Sequence, residues 1–149
     1  MKKIENFWDK VDGFKCFGCS KHNDHGLHME FWEDGDKVVS HWKPETFYEG
    51  WIGIIHGGIQ ATLCDEIAGW TVISKLNAKA VTAKMEIKYI RPVESSEKEL
   101  VLESRIVKHH NKLVVIEVDL LNSKNQKCAE ATCTYFITPE EGNSTTNPS

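Results

Sequence analysis

The chain has 149 residues and a formal net charge of −4, with 40% hydrophobic and 27% charged residues. These values predict one soluble globular domain, and the acidic balance argues against nucleic acid as a partner. No apolar run approaches the ~18 residues of a membrane-spanning helix, and the N-terminus lacks the apolar stretch of a signal peptide. With five cysteines and no secretion signal, we expect reduced thiols and a cytoplasmic location.

The N-terminal part of the chain predicts a short amphipathic helix followed by a β-hairpin. Four apolar residues recur there at helical spacing: Ile4, Phe7, Trp8 and Val11. Strands are predicted over Leu27 to Glu33 and Lys37 to Trp42, joined by the turn Asp34-Gly35-Asp36. A loop from Pro44 to Ile55 follows.

The C-terminal half predicts four further strands rich in Val, Ile, Thr and Tyr. They run from Val81 to Arg91, Leu100 to Lys108, Leu113 to Leu121 and Lys127 to Ile137. The tail from Pro139 to Ser149 is polar and rich in turn residues, so it is predicted to be disordered. The expected domain therefore spans residues 1–138.

Between the two groups of strands, the segment from Gly57 to Leu76 is apolar over most of a helical wheel. A helix of this kind is buried. One buried helix among five or six antiparallel strands predicts a two-layer α+β fold, with a curved sheet wrapped around the helix.

Asp65 falls on a stripe of small and apolar residues of this helix. A carboxylate there is costly unless it is paired or hydrogen-bonded. It is either an exposed acid on a partly buried helix or a functional general base or nucleophile. Glu66 lies roughly 100° away on the wheel and is expected to face a structural partner.

His56, Gly57 and Gly58 stand where the loop becomes the helix. The unpaired N–H groups of a helix start can hold a carbonyl oxygen as charge builds on it; the alternative is a flexible glycine turn with a capping role. Asp65 follows His56 by nine residues, about 13 Å along the helix axis. One chain cannot easily bring both groups to one carbon atom, so the spacing predicts a dimer whose sites are built from two chains.

The run from Gly53 to Asp65, GIIHGGIQATLCD, closely resembles the central-helix signature of hotdog-fold acyl-CoA thioesterases of the phenylacetate-pathway type. Val81 through Pro92 is similar to the strand that follows in that family, and Cys16 to Leu27 is similar to the lead-in of one branch. The resemblance implies hydrolysis of acyl-CoA thioesters to free acid and CoA by a homodimer or homotetramer, without a cofactor. A non-catalytic acyl-CoA-binding or regulatory hotdog protein is the alternative.

The resemblance also assigns roles. It implies that Asp65 activates water or attacks the thioester carbon, and that the N–H of Gly58, helped by Gly57, polarises the thioester carbonyl. It implies that His56 orients the helix start or the thioester. By the same resemblance, Thr82 faces the carboxylate across the dimer and positions water.

Five residues are candidates for substrate binding: Gly57, Glu49, Trp51, Arg91 and Lys112. Relatives carry Asn or Gln six residues before the His, where this chain has Gly50, and Glu49 is the nearest polar side chain. Trp51 would wall an acyl pocket or simply pack in the core. Arg91 and Lys112, together with Lys108, would meet the CoA phosphates, because an acidic protein must concentrate positive charge at the pocket mouth.

A zinc site is the alternative function for the lead-in. Cys16 and Cys19 form a C-x2-C pair with three histidines close behind, His22, His25 and His28. Zinc modules usually draw their second ligand pair from a distant segment, and the resembled lead-in implies no metal, so none is expected. The other cysteines, Cys64, Cys128 and Cys133, are expected to pack as small buried hydrophobic residues.

Overall fold

A computed structural model describes residues 1–139, which form seven strands and one α-helix. The strands are β1 (Lys2–Lys3), β2 (Trp32–Asp34), β3 (Lys37–Trp42), β4 (Ala80–Tyr89), β5 (Leu100–His110), β6 (Leu113–Leu121) and β7 (Lys127–Ile137), and the helix is α1 (Gly57–Leu76). Apart from Pro139, the tail predicted to be disordered lies outside the described residues. Within residues 1–139 no helix is long and apolar enough to cross a bilayer.

All seven strands pair antiparallel in one sheet with the order β1-β2-β3-β5-β6-β7-β4. The chain leaves β3 through α1 and returns at the far edge as β4, and β5, β6 and β7 fill the space between. One face of the sheet packs on α1, and β6 alternates strictly between buried and half-buried residues, as a sheet with one covered face requires. The predicted two-layer α+β arrangement is confirmed.

Helix α1 begins and ends where the sequence predicts. His56 is its N-cap, and Asn77 ends it in the left-handed conformation with φ 49°. Most of its buried residues are apolar: Leu63, Cys64, Ile67, Ala68, Trp70 and Val72.

The N-terminal elements differ from the prediction. The expected helix is a single 3-10 turn, Phe7–Lys10, because Val11 is already extended and Gly13 turns the chain at φ 83°. The strand expected from Leu27 begins only at Trp32, since His28 takes φ 54° and interrupts the extended backbone. Alternate apolar side chains of that segment are nevertheless buried: Leu27, Met29 and Phe31.

The later strands agree closely with the prediction, and β6 and β7 have the expected bounds. Strand β4 ends two residues early, because the backbone N–H groups of Ile90 and Arg91 both donate to the Cys128 carbonyl. The prediction that three cysteines are buried thiols is confirmed for Cys64, Cys128 and Cys133.

Candidate active site

Asp65 is half-buried near the middle of α1 and is held by two hydroxyl groups. Thr82 Oγ1 donates to Asp65 Oδ1 at 2.9 Å. Tyr135 Oη lies 2.5 Å from the same oxygen and 2.6 Å from the backbone carbonyl of Asp65. The other carboxylate oxygen, Oδ2, has no hydrogen-bond partner among residues 1–139. One oxygen is thus fixed in place and the other is available to a water molecule or a substrate.

The contact between Thr82 and Asp65 forms within one chain. The resemblance implied that Thr82 faces the carboxylate across a dimer, whereas here both side chains belong to the same chain. A β-bulge between Thr82 and Lys84 explains the in-chain geometry. Met85 pairs with Cys133 and Thr82 pairs with Tyr135, so the extra residue at Ala83 turns the Thr82 hydroxyl to the side of the sheet that faces the helix.

The environment of Asp65 also perturbs neighbouring groups. Burial, followed by the negative charge of Asp65, raises the pKa of Tyr135 well above its ordinary value. The same two causes, again with burial first, raise the pKa of Cys133 to about 12. Tyr135 and Cys133 are therefore neutral at physiological pH, and Tyr135 serves as a hydrogen-bond donor.

The start of α1 is capped by the side chain of His56, whose Nδ1 accepts a hydrogen bond from the Gly58 N–H at 2.8 Å. This hydrogen bond occupies the donor that the resemblance assigns to the thioester carbonyl. The N–H of Gly57 has no acceptor within the described part of the chain. Gly57, the first helical residue, is therefore the better-placed donor.

Tyr89, at the end of β4, ties the strand to the helix start. Its hydroxyl donates to the Gly57 carbonyl at 2.7 Å. A Cβ added at Gly57 would lie 3.4 Å from the Tyr89 ring, which is an ordinary van der Waals contact. Strand β4 therefore contacts α1 at two points, Thr82 with Asp65 and Tyr89 with Gly57.

A cavity of about 600 Å³ opens beside the helix start. Four of the predicted site residues line it: Trp51, His56, Gly57 and Arg91. Trp51 is 85% exposed, so it does not pack in the core and is free to cover a ligand in the cavity. The guanidinium of Arg91 forms no ion pair within residues 1–139 and is available to an anion.

Two further candidates lie outside this cavity. Glu49 accepts a hydrogen bond from Ser95 Oγ at 2.5 Å and pairs with Ile55 in a β-bridge, so it stabilises the loop before the helix. Lys112 is exposed in the turn between β5 and β6. This turn lies at the end of the sheet that holds Thr82, because Phe136 pairs with both Leu113 and Val81.

Sequence reasoning did not single out Tyr135, Tyr89 or Gln60. Tyr135 occupies an inward position of β7, where a buried hydroxyl needs a partner, and this alternation was the available signal. Gln60 lines the cavity, donates to the Ile55 carbonyl at 3.0 Å, and buries its Oε1 without a partner among the described residues. Nothing in the local sequence distinguishes Gln60 from an ordinary helix residue.

The comparisons with known proteins identify the fold and the family. A hypothetical thioesterase of Streptococcus pneumoniae, solved with coenzyme A, superposes with a TM-score of 0.70 at 30% identity over 76% of this chain and 88% of that chain. A Streptococcus mutans protein bound to acetyl CoA gives a TM-score of 0.68 at 27% identity, covering 75% and 90%. The curved sheet around one long helix is the hotdog fold, as the resemblance implied.

The thioesterase superfamily profile matches residues 52–129, more than half of the chain. The chain belongs to the thioesterase superfamily. Acyl-coenzyme A thioesterase 13 of Homo sapiens is 32% identical over 92 residues, covering 61% of this chain and 65% of that protein. The match thus spans less than two thirds of the length of that relative.

Proposed function

We propose that the protein hydrolyses acyl-CoA thioesters to the free acid and CoA. Asp65 Oδ2 takes a proton from water as the water oxygen attacks the thioester carbon. The Gly57 N–H stabilises the negative charge that develops on the carbonyl oxygen. The carbon–sulfur bond then breaks, and the proton held by Asp65 passes to the departing CoA thiolate.

The observation that carries this proposal is the asymmetric environment of the Asp65 carboxylate. Two hydroxyls orient Oδ1, and Oδ2 has no partner within the described range. A general base needs this combination of a fixed geometry and one accessible oxygen. The same geometry suits direct attack by Oδ2 on the thioester carbon, which single-turnover hydrolysis in ¹⁸O-water separates from water activation.

The site requires two chains. Gly57 and Asp65 are eight residues apart, about 12 Å along α1, whereas the nucleophile must lie roughly 3–3.5 Å from the reacting carbon. Strand β4 is an edge strand with no partner on one side in the described sheet, and it exposes Val81 and Tyr89 along its length. An edge of this kind is suited to pairing with a second copy.

Antiparallel pairing of two β4 strands with the two-fold axis at Glu86 would set Thr82 opposite the partner's Tyr89, because the bulge at Ala83 takes up one residue of each strand. Because Thr82 contacts Asp65 and Tyr89 contacts Gly57, this register brings the carboxylate of one chain towards the helix start of the other. Lys112 then approaches the partner's cavity from the Thr82 end. An isologous interface of this kind generates two equal sites per dimer.

Acyl-CoA fits the cavity by its chemistry. Arg91 offers a positive charge without an ion pair in the described residues, suited to a CoA phosphate. The exposed ring of Trp51 offers an apolar wall to the acyl group. The solved relatives with coenzyme A and acetyl CoA support this class of ligand.

The test is a hydrolysis screen in which free CoA is detected with short, medium, long and aromatic thioesters. Asp65→Asn preserves shape and removes the base, so we expect kcat to fall at least about a hundredfold while the fold is retained. Glu103→Gln is a matched control, because Glu103 pairs with Lys37 on strands away from the cavity. A near-normal kcat for Asp65→Asn would refute the proposed role of Asp65.

A second function, acyl-CoA binding without turnover, is favoured by two observations. The Gly58 N–H is already bonded to His56, and Gly50 stands where the resemblance implies an amide side chain. Calorimetric binding of acyl-CoA by a folded protein that hydrolyses none of the thioesters in the screen would support this alternative.

A further inference from the structure

The N-terminal lead-in brings two thiols to a carboxylate of α1. The Cys16 thiol donates to Glu66 Oε1 at 3.2 Å. The Sγ atoms of Cys16 and Cys19 and a carboxylate oxygen of Glu66 all lie within 4.8 Å of one another. Glu66 adjoins Asp65 in the sequence, but it points to the lead-in and takes no part in the candidate active site.

The backbone holds this cluster in place. The Ser20 N–H donates to the Cys16 carbonyl at 3.0 Å and closes the turn between the two cysteines. Phe17 and Gly18 accept from Leu27 and Met29 at 2.7 and 2.9 Å, which fixes the lead-in to the following segment. A side chain at Gly18 would lie 2.6 Å from Glu66 Cδ, so only glycine permits this approach of the carboxylate.

Glu66 forms no ion pair within residues 1–139. Its one hydrogen-bond partner there is a thiol, and Cys19 beside it is only 4% exposed. A half-buried carboxylate beside two thiols lacks the positive charge that usually accompanies such a group. A metal cation would supply it.

We propose that Cys16, Cys19 and Glu66 bind a zinc ion that fastens the lead-in to α1. With Zn–S about 2.3 Å and Zn–O about 2.0 Å, tetrahedral coordination needs S···S near about 3.8 Å and S···O near about 3.5 Å. The observed separations, 3.2 Å for one sulfur–oxygen pair and at most 4.8 Å for any pair, require shifts of about 1.3 Å or less. Binding releases the two thiol protons to solvent, and water completes the tetrahedron.

The histidines that follow the C-x2-C pair in the sequence are not in this cluster. His22 Nε2 is 3.0 Å from the Asp9 carbonyl, and His28 Nε2 is 2.5 Å from the Asn23 carbonyl. Glu66, fifty residues after Cys16, provides the distant ligand that sequence reasoning looked for in a zinc module. A carboxylate as third donor favours a metal over a Cys16–Cys19 disulfide, which would leave Glu66 without a partner.

The test is a cobalt and zinc titration of the reduced, metal-free full-length protein under anaerobic conditions. We expect one Co²⁺ per chain with a thiolate-to-cobalt charge-transfer absorption, displaced by one equivalent of Zn²⁺. Glu66→Gln should weaken binding at least about tenfold and Cys16→Ser at least about a hundredfold. Zinc should raise the thermal midpoint of the unsubstituted protein and leave that of Cys16→Ser unchanged.

The matched controls are Cys128→Ala, a buried cysteine outside the cluster, and Glu103→Gln, and both should bind the metal as the unsubstituted protein does. If Cys16→Ser fails to fold by circular dichroism, the isosteric Glu66→Gln decides the outcome. The proposal is overturned by an absent charge-transfer band, by binding that Glu66→Gln leaves unchanged, or by mass-spectrometric detection of a Cys16–Cys19 disulfide in place of metal. The titration measures metal binding and not hydrolysis, so its result tests the zinc proposal independently of the proposed function.

Discussion

Thr82 and Tyr135 lie directly opposite each other on β4 and β7, and both hydroxyls are hydrogen-bonded to Asp65 Oδ1. The two strands thus act together on one carboxylate oxygen of the helix that they cover. A hydrogen bond to a charged group contributes about 1.5–3 kcal/mol, enough to hold the carboxylate in one rotamer.

Removing these hydroxyls should lower kcat without unfolding the protein. We expect Tyr135→Phe and Thr82→Val each to reduce kcat roughly tenfold, and the double variant to lose more than either, because the second donor no longer compensates for the first. Steady-state kinetics and urea unfolding measure the two effects separately. Tyr48→Phe is the control, since its hydroxyl donates to the Gly26 carbonyl at 2.7 Å in another part of the fold. Unchanged kcat in the double variant would contradict the assignment.

The Gly57 N–H can be deleted by a substitution that the helix start accepts. Proline suits the first helical position, and His56 has the extended conformation, φ −55° and ψ 134°, that a residue before proline prefers. We expect Gly57→Pro to lower kcat about 10²–10³-fold by removing one donor to the developing oxyanion. Gly57→Ala keeps the N–H and should remain much more active. Equal activity of the two variants would show that the Gly57 N–H is not the donor to the oxyanion.

Arg91 should act on substrate binding and not on the chemical step. Arg91→Met removes a charge at the cavity, so KM for acyl-CoA should rise and its dependence on ionic strength should flatten, with kcat nearly unchanged. Arg105→Met is the matched control, because Arg105 pairs with Glu117 at 3.5 Å on strands outside the cavity lining. If only kcat falls, Arg91 does not bind the nucleotide part of the substrate.

Activity should require both chains of a dimer. Asp65→Asn and Gly57→Pro chains carrying different affinity tags are co-expressed, and mixed dimers are isolated by sequential purification. Each mixed dimer holds one intact site and one doubly damaged site, so we expect up to half of normal turnover where each parent is inactive. Folded, verified mixed dimers that remain inactive would show that both groups act within one chain.

The helix was predictable to the residue because its apolar surface is almost continuous and is bounded by Gly57 at one end and Asn77 just beyond the other. The start of the strand predicted from Leu27 was not predictable, because Leu27, Met29 and Phe31 alternate as in a strand while His28 adopts a positive φ. Alternation of apolar residues indicates which side chains are buried, but it does not indicate whether the backbone hydrogen-bonds to a neighbouring strand.

The candidate site was predictable in its residues more than in its geometry. Asp65 and Thr82 were identified, but their contact within one chain depends on the bulge at Ala83, which leaves no mark in the local sequence. The bond from Gly58 to His56 depends on a side-chain rotamer. The approach of Cys16 to Glu66 joins residues fifty positions apart, beyond the reach of any periodicity.

The bulge at Ala83 divides β4 into two halves in which opposite sets of alternate residues face the helix. Before it, Ala80 and Thr82 pair with inward positions of β7; after it, Met85, Ile87 and Tyr89 do so. The inward-facing residues, which should tolerate substitution least, are therefore even-numbered before the bulge and odd-numbered after it. A deletion of Ala83 would shift one half against the other and separate the part of the strand that serves the carboxylate from the part that serves the helix start.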